Sequence, residues 1–185
     1  MTPGIQISGN SLDSLLVNCL RTINDIGHRG DKASSELLGV QVHLTNPRNI
    51  WMVNPERKHN PIAQIAEVIW VLAGSNKVDW LIKFLPRAAD FSDDGETWRG
   101  GYGPRLFKAL GIDDKGDQVT TNQLEYVIKS LRERQSSRQA LFTIWDPAKE
   151  NTVGTTKDYP CNIAFQFMIR NNKLYLLSYV RCYIS

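Results

Sequence analysis

Apolar residues recur at helical spacing early in the chain. Leu12, Leu15, Leu16, Cys19, Leu20 and Ile23 share one face behind Ser11, an N-cap residue, which predicts a helix over residues 11–24. Cys19 lies on that stripe and reads as core. A polar turn (28–35) leads to alternation over 37–44, read as a strand with Gly39 as a bulge. Pro61 suits the first turn of a helix running to Ala73, with Gly74 ending it. Apolar residues surround nearly the whole of that helix, so it is expected to be buried; Gln64 and Glu67 alone interrupt the wrapping. Residues 84–103 read as a loop whose glycines let the backbone approach something closely. An amphipathic helix follows over 123–134 and a strand over 140–145, stopped by Asp146-Pro147. Strands over 162–169 and 173–180 flank Asn171-Asn172, a pair suited to a type I′ turn. Helices mixed with strands and a late hairpin place the chain in the α/β (α+β) class, as a single domain over residues 1–185.

The chain has 185 residues, and its 22 basic and 19 acidic residues leave a charge of +3. That balance offers no electrostatic argument for nucleic acid or a membrane surface. Apolar runs are too short to span a bilayer, and the N-terminus lacks a charged segment leading into an apolar one. The expectation is a soluble cytoplasmic protein. Three scattered cysteines and three histidines show no disulfide framework and no metal-ligand spacing, so no metal site is expected. Phosphate-loop and dinucleotide glycine motifs are absent.

A few residues stand out chemically. Glu67 is a carboxylate on an apolar helix, serving either proton transfer with a raised pKa or an ion pair with an arginine. Cys161 follows Pro160 at the start of an apolar strand. It is either a nucleophile in a positive environment or a small buried hydrophobe. Arg29, Arg138 and Arg181 lie near element ends, where guanidinium groups bind phosphate or simply face water. Tyr102, among glycines, is either a hydrogen-bonding phenol beside a ligand or a packed aromatic.

The order of these pieces resembles the thymidylate synthase family, which includes the pyrimidine nucleotide hydroxymethylases. The matching segments are His28-Arg29, Gly39-Val-Gln41, Glu67-Val-Ile-Trp70 with Ala73-Gly74, Gly101-Tyr-Gly103 and Ser137-Arg-Gln-Ala140. Pro160-Cys-Asn162, Gln166-Phe167, Lys173-Leu174 and Arg181 complete the set. Together they span nearly the whole chain, and the interval from Cys161 to Arg181 also fits. The resemblance implies a mixed sheet packed with helices. It also implies transfer of a one-carbon unit from 5,10-methylenetetrahydrofolate to carbon 5 of a pyrimidine deoxynucleotide, dUMP to dTMP. The alternatives are a dCMP or dUMP hydroxymethylase, or a non-catalytic remnant that binds nucleotide or dimerises. In that scheme Cys161 adds to carbon 6, Glu67 manages protons through water, and Tyr102 orders the water network. Arg29, Arg138, Arg181 and Gln139 hold the 5′-phosphate, with Arg181 also lowering the thiol pKa. The family's symmetric dimers imply a homodimer in which Arg138 serves the partner's site.

The departures are specific. The family has two arginines where Arg138-Gln139 stands, and a histidine after the nucleophile where Asn162 stands. Residues 86–91 lack the tryptophan expected near the folate. These changes point towards the hydroxymethylase branch. After Arg181 the family continues Ser-x-Asp and then a base-reading segment, whereas this chain reads Cys182-Tyr-Ile-Ser185. The expectation is an N-terminal portion, incomplete at its C-terminus.

Overall fold

The computed structural model describes residues 4–30, 34–151 and 154–182. The chain divides into two compact units, the second beginning at Ile62.

In the first unit, β1 (Ile5–Gly9) pairs in parallel with β4 (Val40–Leu44), joined through α1 (Leu12–Ile26). Between them lie β2 (His28–Arg29) and β3 (Ser35–Glu36), a short antiparallel pair. The Ser11 hydroxyl accepts from the Ser14 N–H, and the Ser14 hydroxyl accepts from the Ser11 N–H, both at 3.1 Å. That reciprocal cap starts α1 where the sequence placed its start. The Asp13 carboxylate, in the first turn, accepts the N–H groups of Val53 (2.9 Å) and Asn54 (3.3 Å) and so pins the irregular segment after β4. Gly39, with φ +66°, sits at the entry to β4 in the left-handed region that favours glycine.

The second unit carries α2 (Pro61–Leu72), α3 (Val78–Leu81), a short 3-10 turn (Pro86–Phe91) and α4 (Tyr102–Phe107). Then come the hairpin β5 (Ala109–Ile112) and β6 (Gln118–Thr121), followed by α5 (Gln123–Glu133), β7 (Leu141–Thr143) and α6 (Pro147–Glu150). The antiparallel pair β8 (Asn162–Arg170) and β9 (Lys173–Val180) closes the described chain, with β7 on the other edge of β8. Asn171 and Asn172 turn the hairpin with φ of 50° and 57°, as a type I′ turn requires. Among the described residues the strands form four small sheets, so the chain is of mixed α+β type.

Two apolar clusters hold this unit. Leu106, Val127, Ala140, Phe142 and Ile144 form one, with Tyr102, Val71, Phe165 and Phe167 packed against it. Trp70, Leu81 and Ala88 form the other, where Trp98 meets Trp70 edge-on at 5.3 Å. The indole N–H groups of Trp70 and Trp98 donate to the Lys77 and Ala88 carbonyls at 2.7 Å each, so neither indole is left unpaired.

The glycine stretch does approach something closely, and that something is the chain itself. A Cβ on Gly103 would stand 2.5 Å from the Ser75 carbonyl oxygen, and one on Gly100 would stand 2.9 Å from an Asp158 carboxylate oxygen. One expectation fails. α2 buries only Ala63, Ala66 and Trp70, while Ile65, Val68, Ile69 and Leu72 are each at least half exposed. The helix packs one face, and the apolar residues on its other sides stay exposed.

The same unit holds a buried ion pair. Arg105 forks onto Glu150 with two contacts of 2.8 Å, and its Nη1 and Nη2 also reach the Ile144 (2.6 Å) and Arg99 (2.9 Å) carbonyls. The Glu150 side chain has no exposed surface and the Arg105 side chain is 7% exposed. Desolvation pushes the Glu150 pKa up. The Arg105 hydrogen bonds, the Asp146 N–H, and the Arg105 and Arg99 charges outweigh it and hold the carboxyl below its ordinary 4.5.

Two outcomes follow. Glu150→Ala strands a buried guanidinium and lowers stability by about 3–5 kcal/mol, measured by urea denaturation with tryptophan fluorescence; replacing both partners by methionine costs less. A lowered folded pKa stabilises the fold above 4.5, and that contribution disappears as pH falls through the folded value. Glu150→Gln therefore flattens part of the acid limb of the stability profile. Hydrogen bonds led by the Thr156 and Thr97 hydroxyls lower the Asp93 and Asp94 pKa values too, so both act in the same direction.

Candidate active site

Cys161 sits just before β8, half-buried, beneath the backbone bend that Pro160 begins. The Arg181 N–H donates to its carbonyl at 2.9 Å, which ties the residue to the far end of β9. The Arg181 side chain grips the same bend. Nε donates to the Pro160 carbonyl (3.0 Å), Nη2 to the Tyr159 carbonyl (3.3 Å), and the guanidinium lies 5.9 Å over the Trp145 ring. Arg181 thus acts first as a clamp on the backbone leading into the thiol. It also favours the Cys161 thiolate, as expected. Burial, the Cys182 thiol beside it and the Asp158 charge act the other way and prevail, so the thiol pKa is raised.

Tyr102 begins α4, where the sequence suggested a loop, and its ring packs on the first cluster. Its hydroxyl oxygen accepts from the Asn162 backbone N–H (3.3 Å) and side-chain Nδ2 (2.9 Å), directly beside Cys161. With two donors on that oxygen, the phenol's own proton must point away from Asn162. Ser178 on β9 steadies the arrangement by donating to Asn162 Oδ1 at 3.2 Å. Tyr102 is thus a packed aromatic whose hydroxyl is also held by Asn162.

Glu67 projects from α2 beside a shallow depression of about 350 Å³, lined with Gln64, Val68, Val71 and Leu72. The apolar neighbours desolvate the carboxyl and raise its pKa, although the residue stays open to solvent. Among the described residues Glu67 makes no ion pair, so the structure does not provide the arginine partner that was the alternative to proton transfer. One turn further on, Val71 packs against the same cluster as Tyr102.

Arg138 and Gln139 stand exposed between two anchors. Ser137 is buried, its hydroxyl near Ser130 (3.2 Å) and accepting from the Gln139 N–H (3.1 Å), and Ala140 is fully buried. Arg134 donates to the Gln139 amide oxygen at 3.0 Å. Arg29 belongs to the first unit, exposed on β2.

The structure brings Cys161, Tyr102 and Arg181 together; Glu67, Arg138, Gln139 and Arg29 lie on other segments. Sequence reading missed three supports. Asp158 accepts the Gly100 N–H at 2.7 Å, and burial raises its pKa. Arg99 bridges Glu150 (3.4 Å) and the face of Tyr159 (5.7 Å). Asn162 was noted only as a departure. Asp158 lies three residues before the cysteine, and that proximity was the available signal.

A half-buried thiol, a hydrogen-bonded phenol and an arginine-clamped bend meet at the start of β8 on an α+β frame. The family model described as thymidylate synthase matches residues 14–183, and the chain belongs to the thymidylate synthase family. It is 31% identical over 179 residues to a deoxyuridylate hydroxymethyltransferase of Bacillus phage SP01, covering 94% of this chain and 46% of that protein. A protein of the same name from Delftia phage PhiW-14 is 35% identical over 76% of this chain and 39% of its own length. A thymidylate synthase of Francisella philomiragia is 28% identical over 85% of this chain and 60% of its own. The chain therefore spans half or less of the phage proteins it matches.

Because its pKa is raised, Cys161 is mostly protonated at pH 8. Alkylation by iodoacetamide, followed by peptide mass spectrometry, is slower there than for a free thiol and catches up as pH rises. Cys182→Ser removes a neighbour that raises the pKa, so the variant alkylates faster at pH 8.

Proposed function

We propose that the protein transfers a one-carbon unit to carbon 5 of deoxyuridylate, with Cys161 as nucleophile, Glu67 as proton manager and Tyr102 as the positioned hydroxyl. The observation that carries this is the Tyr102–Asn162 contact beside Cys161, in a chain whose family match runs through every proposed site residue. The Cys161 thiolate adds to carbon 6, forming a carbon–sulfur bond while the 5,6 double-bond electrons move toward the carbon 4 oxygen. Carbon 5 thereby becomes the nucleophile. Glu67, with a raised pKa, is suited to pass protons near neutrality.

Methylenetetrahydrofolate, when bound, supplies the one-carbon unit at the oxidation level the transfer needs. The depression beside Glu67, on one face of α2, offers Val68, Val71 and Leu72 as apolar contacts and Gln64 and Glu67 as polar ones. Arg29, Arg138, Arg181 and Gln139 hold the 5′-phosphate, Arg138 within a homodimer across to the partner's site. The exposure of Arg138 and Gln139 between buried anchors supports that role. The family match crosses both compact units, which supports reading them as one catalytic domain. A cytoplasmic setting suits this chemistry.

Hydroxymethylation is the favoured outcome over methylation. The relatives at 31–35% identity are named deoxyuridylate hydroxymethyltransferases, against 27–28% for those named thymidylate synthases. The same names favour uracil over cytosine as the base.

The test is tritium release from carbon-5-labelled dUMP in the presence of methylenetetrahydrofolate. The expected result is release without the absorbance rise that marks dihydrofolate. Cys161→Ser abolishes release, and Glu67→Gln lowers it by roughly 10²–10⁴-fold. Release accompanied by dihydrofolate would establish methylation. Nucleotide binding with no release would favour a binding remnant, and neither binding nor release would overturn the proposal.

A further inference from the structure

Cys182 takes no part in the chemistry above, yet it stands against the proposed nucleophile. The β8–β9 ladder sets the two cysteines at its open end. Asn162 faces Val180, and the Arg181 N–H bonds to the Cys161 carbonyl, so Cys161 lies at the last backbone contact and Cys182 one residue beyond it. Across that step the Cys182 thiol points at the Cys161 sulfur, with Sγ–Sγ of 3.9 Å. Disulfides have S–S lengths near 2.05 Å, so the sulfurs need to close about 1.9 Å. Both residues are half-buried, which leaves them open to a small reagent. Cys19 lies on α1 in the other unit.

We infer that Cys161 and Cys182 form a dithiol modification site, which reacts with low-molecular-weight disulfides of the glutathione class and closes as an internal disulfide. The Cys161 thiolate attacks one sulfur of the reagent, forming a mixed disulfide and releasing one reagent thiolate. The Cys182 thiolate then attacks the Cys161 sulfur and breaks its bond to the second reagent sulfur, which leaves as the other thiolate. The protein pair loses two electrons, the reagent gains them, and the two cysteine protons end on the released thiols. Holding the second sulfur already within 4 Å makes the closing step intramolecular, so the mixed disulfide is short-lived. Of the charged groups around the pair, Arg181 favours the Cys161 thiolate and Asp158 opposes it. The closed bond removes the thiolate and makes Cys161 inert until it is reduced. That consequence for catalysis rests on the function proposed above; the thiol chemistry does not.

The test exposes the folded full chain to glutathione disulfide, quenches with acid, digests without reduction and maps the peptides by mass spectrometry. The expected product joins the Cys161 and Cys182 peptides, leaves Cys19 unlinked and is reversed by dithiothreitol. Cys182→Ser retains glutathione on Cys161 as a lasting adduct, because the resolving sulfur is gone. Cys19→Ser gives the same cross-link as the unsubstituted chain. A lasting glutathione adduct on either cysteine of the unsubstituted chain overturns the inference. So does a link to Cys19, a link between two chains, or an unmodified pair. A chain that cross-links as described yet never releases tritium upholds the dithiol site and overturns the catalytic reading instead.

Discussion

The second unit is organised around a charge that water cannot reach. Moving Glu150 and Arg105 out of solvent costs several kcal/mol for each ion, and their forked contact offsets that cost only when every remaining donor and lone pair is matched. The Nη groups of Arg105 also reach the Ile144 and Arg99 carbonyls, and Glu150 also takes the Asp146 N–H at 2.6 Å. The partners come from α4, from the glycine stretch before it, from the residue after β7 and from both ends of α6. Gln123 adds to the same knot: its amide donates to the Arg105 and Thr143 carbonyls (2.7 and 2.9 Å) and accepts the Thr143 N–H at 3.1 Å. A polar side chain at the start of α5 thereby locks helix to strand.

That knot is how the fold reaches its chemistry. Tyr102 lies three residues before Arg105 on α4, so holding Arg105 also sets where the phenol points. Arg99 carries the constraint further, contacting Glu150 on one side and the Tyr159 ring on the other. Arg181 then clamps the Tyr159 and Pro160 carbonyls. Three arginines, each tied to backbone carbonyls or a carboxylate, lead from the buried pair to the peptide that presents Cys161. The short elements here are too small to hold such a geometry by apolar packing alone. Directional charge-assisted bonds supply the precision instead.

The apolar surface tells a complementary story. α2 buries a narrow stripe of Ala63, Ala66 and Trp70 and leaves Ile65, Val68, Ile69 and Leu72 at its surface, and the apolar residues of β9 are likewise exposed. Glu67 owes its raised pKa to this half-covered setting: apolar neighbours shield it while solvent still reaches it. A carboxylate placed so is easier to protonate near neutrality than one in open water, without the cost of full burial.

Local patterns in the sequence determined much of this. The Ser11 cap, the amphipathic stripes of α1 and α5, the Pro61 and Gly74 boundaries of α2, and the Asn171-Asn172 turn all act over a few residues, so their spacing sufficed. The ordered motifs around Glu67, Tyr102, Cys161 and Arg181 likewise sufficed for the family. Other features lay beyond such reading. β1 is five residues long and becomes a strand by pairing with β4, about 35 positions away. The start of α4 looked like a loop because Gly103 there, and Gly100 just before it, serve close packing against Ser75 and Asp158. Arg105 and Glu150 look like any surface charges until the fold carries them across 45 residues to one buried point. Cys182 became notable only when the hairpin brought it to Cys161. Periodicity reports which face of an element is apolar; which faces, charges and thiols meet is set by long-range contacts, and only the tertiary structure decides those.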